Sequence, residues 1–182
     1  RIWNGFRRLV AGALAAAMLL TPASQGAYAQ RAPGQPVNPV EDFDPPARVG
    51  RVGYISGTVS YHTLDMEVWE RAVLNLPIKA GDTFWTEPES RAALPFGAAV
   101  IRMDRETEVG VEVLDDRAAE FQLTRGTMNF RLRWLERDET YRVATPDGAI
   151  EFTRPGRYHI DAYDDGRPSR YDVIEGEAEL FV

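Results

Sequence analysis

The sequence predicts an all-β domain over residues 49–182, and three observations predict it. Apolar and polar residues alternate with period two in several short runs. Turn-forming clusters separate those runs. One figure recurs three times: an apolar residue three before a glycine, with apolar residues two and four after it. It appears as "YISGTVSY" (Tyr54–Tyr61), "LTRGTMNF" (Leu123–Phe130) and "VIEGEAEL" (Val173–Leu180).

Taken in chain order, the first element is not part of the fold. Arg1, Arg7 and Arg8 make a basic start, Leu9–Leu20 is apolar or small, and Ala27-Tyr28-Ala29 offers a small-x-small site before Gln30. This is the three-part pattern of a secretory signal peptide, read as residues 1–29 with cleavage between Ala29 and Gln30. As a helix, Leu9–Leu20 would rise roughly 18 Å at about 1.5 Å per residue, short of a bilayer core about 30 Å thick. The sequence has no initiator Met, so its numbering is read as starting inside a longer precursor. Residues 30–48 hold Pro33, Pro36, Pro39, Pro45 and Pro46 and few large apolar groups. They cannot bury enough surface to offset ordering and read as a disordered, Pro-rich linker.

Strand signals dominate the remainder. Met128, Phe130, Leu132 and Trp134 alternate with Asn129, Arg131 and Arg133. Tyr158, Ile160 and Ala162 alternate with Arg157, His159 and Asp161; Ile150 and Phe152 flank Glu151; Tyr171 and Val173 flank Asp172. Period two buries one face of a strand and wets the other. Turns are expected at Ala80-Gly81-Asp82, Pro95-Phe96-Gly97, Asp115-Asp116, Pro146-Asp147-Gly148, Pro155-Gly156 and Asp164-Asp165-Gly166,. The best helical candidate is Val68–Leu76, with Trp69 and Val73 at i, i+4, ended by Pro77.

Gly57, Gly126 and Gly176, the glycines of the repeated figure, are read as structural. Each marks a place where a strand bends, bulges or lets another backbone come close. Their spacings, 126 − 57 = 69 and 176 − 126 = 50 residues, are unequal. That argues against a strict repeat array and suits a compact sandwich or an irregular solenoid. Each flanking apolar residue that becomes fully buried contributes about 1.5–3 kcal/mol.

Composition narrows the chemistry. With no cysteine, disulfides, thiolate metal sites and a Cys nucleophile are excluded,. Residues 1–29 hold three Arg and no acid, so the remainder carries 21 − 3 = 18 basic and 28 acidic groups, a net charge of −10. That balance disfavours nucleic acid and anionic lipid as partners. Lys79 is the only lysine.

The string "VGYISGTVSY … GDTFWTEPESRAALPFGAAVIRM … FQLTRGTMNFRL … YRVATPDGAIEFTRPGRYHID … VIEGEAEL" resembles the FecR-type periplasmic domain, and more narrowly its secreted branch. Gly57, Gly81-Asp82, Thr86, Gly97, Ile101, Gly126, Thr145-Pro146 and Gly176 fall where that family's short motifs stand. The resemblance covers essentially all of 49–182. It implies an all-β domain, sandwich- or solenoid-like; with the leader and the weak enzymatic constellations, the chain is expected to be a non-catalytic module without a cofactor, exported to the periplasm or secreted. In FecR proper this domain relays a signal from an outer-membrane receptor to a cytoplasmic sigma factor. This chain departs from that plan, having a cleavable leader where FecR proper has a cytoplasmic segment and a spanning helix. A second departure is Pro155-Gly156 in place of a Gly-Thr pair. Secreted members often continue into an aromatic-rich region, so the strand-like run at Phe181-Val182 reads as interrupted.

Enzymatic constellations are weak. Ser60 and His62 share a strand face about 7 Å apart at roughly 3.3 Å per residue, too far for a nucleophile and its base. His159 reads as a solvated polar position. Asp161, Asp164, Asp165 and Gly166 do not meet the calcium-loop spacing and fit a hairpin turn between Tyr158–Tyr163 and Arg170–Ile174. Carboxylate pairs such as Asp104/Glu106 or Asp115/Asp116 need a cleft to serve glycoside hydrolysis. No metal site is expected. The candidate ligand or partner surface is Arg131, Arg133, Trp134 and Arg142, whose guanidinium groups suit an anionic glycan or a carboxylate. Trp69, Trp85 and Trp134 read first as core or rim packing, with a sugar platform as the alternative. The expected partner is another envelope protein, engaged through an unpaired sheet edge, or a cell-wall glycan.

Overall fold

The computed structural model describes residues 49–66 and 68–182; the leader over 1–29, its Ala29–Gln30 junction and the linker over 30–48 lie outside the described residues. No described residue is helical and 59% are in strands, so the chain is all-β. In chain order the strands are β1 (Gly50–Arg51), β2 (Tyr54–Ser56), β3 (Val59–His62), β4 (Glu70–Arg71), β5 (Pro77–Ile78), β6 (Thr83–Thr86), β7 (Arg91–Phe96), β8 (Ala99–Met103), β9 (Glu108–Leu114), β10 (Ala118–Leu132), β11 (Thr140–Thr145), β12 (Gly148–Phe152), β13 (Gly156–Ala162), β14 (Arg170–Glu175) and β15 (Ala178–Phe181).

These strands form one sheet, curled into a half-barrel with two arms. The upper arm holds β1, β2, β5, β7, β8, β13 and β14; the lower arm holds β3, β4, β6, β9, β11, β12 and β15. β10 belongs to both. Its first half pairs with β9 and β11 and its second half with β8 and β13.

The repeated glycine figure makes the corners of this curl. At Gly57 the chain leaves β2 in the upper arm for β3 in the lower; Gly126 bends β10 from one arm to the other; Gly176 carries β14 into β15. All three have positive φ, at 77°, 95° and 100°, a backbone region that side chains with a Cβ rarely occupy. A bend interrupts the ladder and strands the backbone groups beside it, which must then find another partner. A buried hydroxyl takes that role at the first two corners; at the third the Glu177 carbonyl accepts the Thr153 and Arg154 N–H groups, and a buried hydroxyl adds to them. Ser90 Oγ accepts the Thr58 N–H (2.8 Å) and Thr107 Oγ1 accepts the Thr127 N–H (3.0 Å). At the third corner the Tyr158 hydroxyl lies 2.9 Å from the Glu177 carbonyl and 2.5 Å from that of Arg154.

Among the described residues, all pairings are antiparallel except β10 with β11. Parallel neighbours need a long crossover. Here the second half of β10, running through the upper arm, and residues 133–139 together supply it.

The core lies between the arms. Met128, Phe130 and Leu132, then Tyr158, Ile160 and Ala162, and Ile150 with Phe152 are buried, as their alternation predicts. A run of rings crosses the core: Phe96–Phe121, Phe121–Phe130, Phe130–Phe152 and Phe152–Tyr158 have centroids 5.0, 6.2, 4.2 and 4.4 Å apart. Tyr141 meets Phe130 edge-on.

The helix considered over Val68–Leu76 does not form. Glu70–Arg71 instead pairs antiparallel with β3, Ser60 opposite Arg71. A segment so short cannot repay helix nucleation, and a free strand edge satisfies its backbone directly. Trp134 also departs from its run. β10 ends at Leu132, so Trp134 stands outside the ladder and is exposed.

Candidate functional site

The four residues expected to share a surface are divided between the arms. Arg131 lies in the upper-arm half of β10, opposite Val100 of β8 and Arg157 of β13. Arg133 follows it, donating from Nη2 to the Gly97 carbonyl (2.7 Å), with its guanidinium 4.9 Å from the Trp134 ring. Arg131, Arg133 and Arg157 line a depression with Pro155 and Glu175, where Glu175 pairs with Arg157 at 3.0 Å. Arg142 stands on β11 of the lower arm, opposite Glu120 and Glu151 and over the Phe181 ring. Its Nε is buried without a hydrogen-bond partner. The corner at Gly126 creates this division, because it sends the two halves of β10 into different arms.

Of the three tryptophans, the fold brings two together. Ser60, Trp85, Glu108 and Arg125 are successive cross-strand partners on β3, β6, β9 and β10. They sit in one row and, with Trp69 and Glu87, line a depression of about 310 Å³. The Arg125 guanidinium stacks 4.2 Å from the Trp85 centroid and Nη1 reaches Asp164 at 3.3 Å. Trp69 leans on His62, ring centroids 5.6 Å apart. Trp134 has no part in this group.

His159 is less solvated than its sequence context suggests. Nδ1 meets Asn129 Oδ1 at 3.0 Å and Nε2 meets Asp161 Oδ2 at 3.3 Å, while the Thr127 hydroxyl donates to Asp161 Oδ1 at 2.6 Å. The hydroxyl therefore faces the carboxylate and not the imidazole, which is the wrong order for a histidine to deprotonate it. Of the other acids of the suspected loop, Asp164 pairs with Arg125 and Asp165 with Arg167, in the connection between β13 and β14. Among the described residues, no group of three or more His, Asp and Glu is placed to hold a metal ion.

Among the carboxylates, electrostatic perturbation falls on turns and loops. Asp82, in the Gly81-Asp82 turn, is buried and accepts the Lys79 N–H at 2.8 Å. Burial pushes its carboxyl above the usual range, with Lys79 opposing. The folded protein therefore holds this proton more tightly than the unfolded chain. The stability this gives is full below the ordinary Asp pKa and is lost as pH rises through the folded value. Asp82→Asn is expected to flatten that part of the profile, so that urea midpoints of the variant and wild type, measured from pH 4 to pH 7, converge at acid pH and separate towards neutrality in the variant's favour. Asp147 shifts the other way, held down by the hydroxyl and N–H of Ser169.

The last corner carries an open boundary. Among the described residues, β14 pairs only with β13 and β15 only with β12. The middle copy of the glycine figure buries Leu123, Met128 and Phe130 almost completely, whereas the last leaves Val173 49% and Leu180 51% exposed. Ile174 and Phe181 are exposed beside them. Comparison with models of protein families, with curated proteins and with solved structures finds no match to this chain.

Proposed function

We propose that this chain is a non-catalytic, exported module of FecR-like type that accepts a basic, extended segment of another envelope protein along β14 and β15. The open edge carries this reading. Every backbone N–H and C=O of a sheet seeks a partner, and an edge strand offers a ready row of them. The middle glycine-cornered ribbon, β10, has a neighbouring strand on each side of each half; among the described residues, the last ribbon has neighbours on one side only. A further extended segment would complete it as β8 and β9 complete β10. From Arg170 to Phe181 there are four acids, Asp172, Glu175, Glu177 and Glu179, against the single Arg170, so the complementary strand is basic. The ion pairs these acids make with Arg170, Arg157 and Arg154 are exposed and worth about 0–1 kcal/mol each, so exchange for a partner's cations costs little.

The FecR-like assignment rests on the order of short motifs, Gly57 through Gly176, and on the corners those glycines make. Within it, the parallel β10–β11 pair supports an irregular solenoid more than a sandwich, since β10 and the return through residues 133–139 trace one coil. Export rests on the leader, and the non-catalytic reading on the spacing of Ser60 and His62 along β3 and on the Thr127 hydroxyl facing Asp161 and not His159.

Extended peptides alternating apolar residues with Arg or Lys, and the same peptides with Glu, test the edge. The basic set should bind, weaken with salt, and slow hydrogen exchange of the β14 and β15 amides. Ile174→Pro and Leu180→Ala, both at exposed positions, should each cut affinity about tenfold, the order expected for losing one anchor of an interface,. Equal binding of the acidic set, protection elsewhere, or closure of the edge by a second copy in sedimentation would defeat the proposal.

A further inference from the structure

We infer that the outer face of the lower arm is a saccharide-binding site, in which Trp69 supplies an apolar ring face, Trp85 backs the Arg125 guanidinium, and Ser60, Glu87, Glu108 and Arg125 supply hydrogen bonds. The site lies apart from the β14–β15 edge and does not depend on how that edge is used.

Its chemistry narrows the ligand. The depression, about 310 Å³, is at the lower end of the roughly 300–1,000 Å³ of small-ligand sites, enough for one or two sugar rings of a longer chain. A purely apolar ligand would strip water from Glu87 and Glu108 and return no donor, which is costly. An anion, whether uronate or phosphate, would meet two carboxylates against one guanidinium. A cation would compete with Arg125, which already occupies the stacking position 4.2 Å over Trp85 and is held there by Asp164. A neutral or acetamido sugar satisfies all of these groups. Its C–H face lies on the Trp69 indole, its hydroxyl and amide protons go to the carboxylates, and its oxygens accept from Arg125 and Ser60.

The site is also built in advance. Four of its residues come from adjacent strands in one cross-strand row, so their spacing is fixed by the sheet rather than by loops. Trp69, on the connection after β3, is 48% exposed, its ring braced against His62. A planar guanidinium held by a ring face and a carboxylate loses little freedom on making new hydrogen bonds.

Titration of the whole protein with N-acetylglucosamine oligomers, cello-oligosaccharides and oligogalacturonate, read by calorimetry and by tryptophan fluorescence, tests this. Neutral oligomers should bind saturably and change the fluorescence, with oligogalacturonate weaker by about tenfold or more, in keeping with two opposed carboxylates. Trp69→Ala should lower affinity about tenfold, the scale of one lost ring contact, and Glu108→Gln should also weaken binding. Glu87→Gln gives the same reading should Trp69→Ala disturb the β3–β4 connection. Trp134→Ala should leave affinity unchanged, as should the edge variants Ile174→Pro and Leu180→Ala. Failure of any neutral oligomer to bind, preference for oligogalacturonate, or indifference to both Trp69→Ala and the glutamate substitutions overturns the inference while leaving the edge proposal standing.

Discussion

Gly126→Ala is expected to lower stability by about 4 kcal/mol or more, a large share of the roughly 5–15 kcal/mol that holds a domain of this size. Two costs add. The residue has φ +95°, which disfavours any Cβ by about 1–2 kcal/mol. The added Cβ would also lie 2.5 Å from the Thr107 Cα and 2.6 Å from the Glu106 carbonyl oxygen. Both are backbone atoms, so no side-chain rotation relieves the overlap. Relief requires the β8–β9 corner to move, and that corner is already tight, with Glu106 itself at φ 51°. Thr107 cannot shift without losing the hydroxyl that accepts the Thr127 N–H. Gly166→Ala separates the two costs. It has φ +85° but nothing within 4 Å of its Cβ position, so it should lose only about 1 kcal/mol. Urea midpoints of the two variants, followed by tryptophan fluorescence, should differ by the cost of the backbone overlap. Equal losses would show that Gly126 is only a flexible residue and not the packed corner of β10.

What could be read from the sequence is what depends on near neighbours. The alternation at Met128–Leu132 and Tyr158–Ala162 gives strand and buried face together, because period two leaves no other way to bury one side. The recurring glycine marks the corners, because positive φ and close backbone approach both require that residue. Pairing between distant strands leaves no such local trace. Arg131 and Arg142 both alternate outward, yet the bend at Gly126 and the parallel β10–β11 pair assign them to different arms. Arg125 is a sharper case. Counting by two from buried Leu123 places it in the core. A register irregularity between Leu123 and Arg125 turns it outward beside Glu108 instead, which is how it reaches Trp85. A bulge of this kind is a property of the pair of strands, not of either one. The exposure of Val173 likewise follows from what lies next to β14, which its own sequence does not state.

Phe130→Ala should cost about 3–5 kcal/mol, the range for deleting a fully buried ring. Phe130 sits where the two arms interlock. Its ring stacks on Phe152 at 4.2 Å and 12° and also touches Phe121 and Tyr141. Phe121, Tyr141 and Phe152 belong to the lower arm, whereas Phe130 projects from the upper-arm half of β10. Truncation therefore opens a cavity between the arms, and the surrounding rings cannot close it without leaving their own partners. Phe130→Leu refills most of the volume and should cost about 1–2 kcal/mol. The shape of the transition carries a second expectation. If the arms share this one core, the alanine variant unfolds in a single transition, shifted but with its denaturant slope unchanged. Two separated transitions, seen by circular dichroism and by tryptophan fluorescence, would mean that each arm packs for itself, and that the ring run from Phe96 to Tyr158 does not join them.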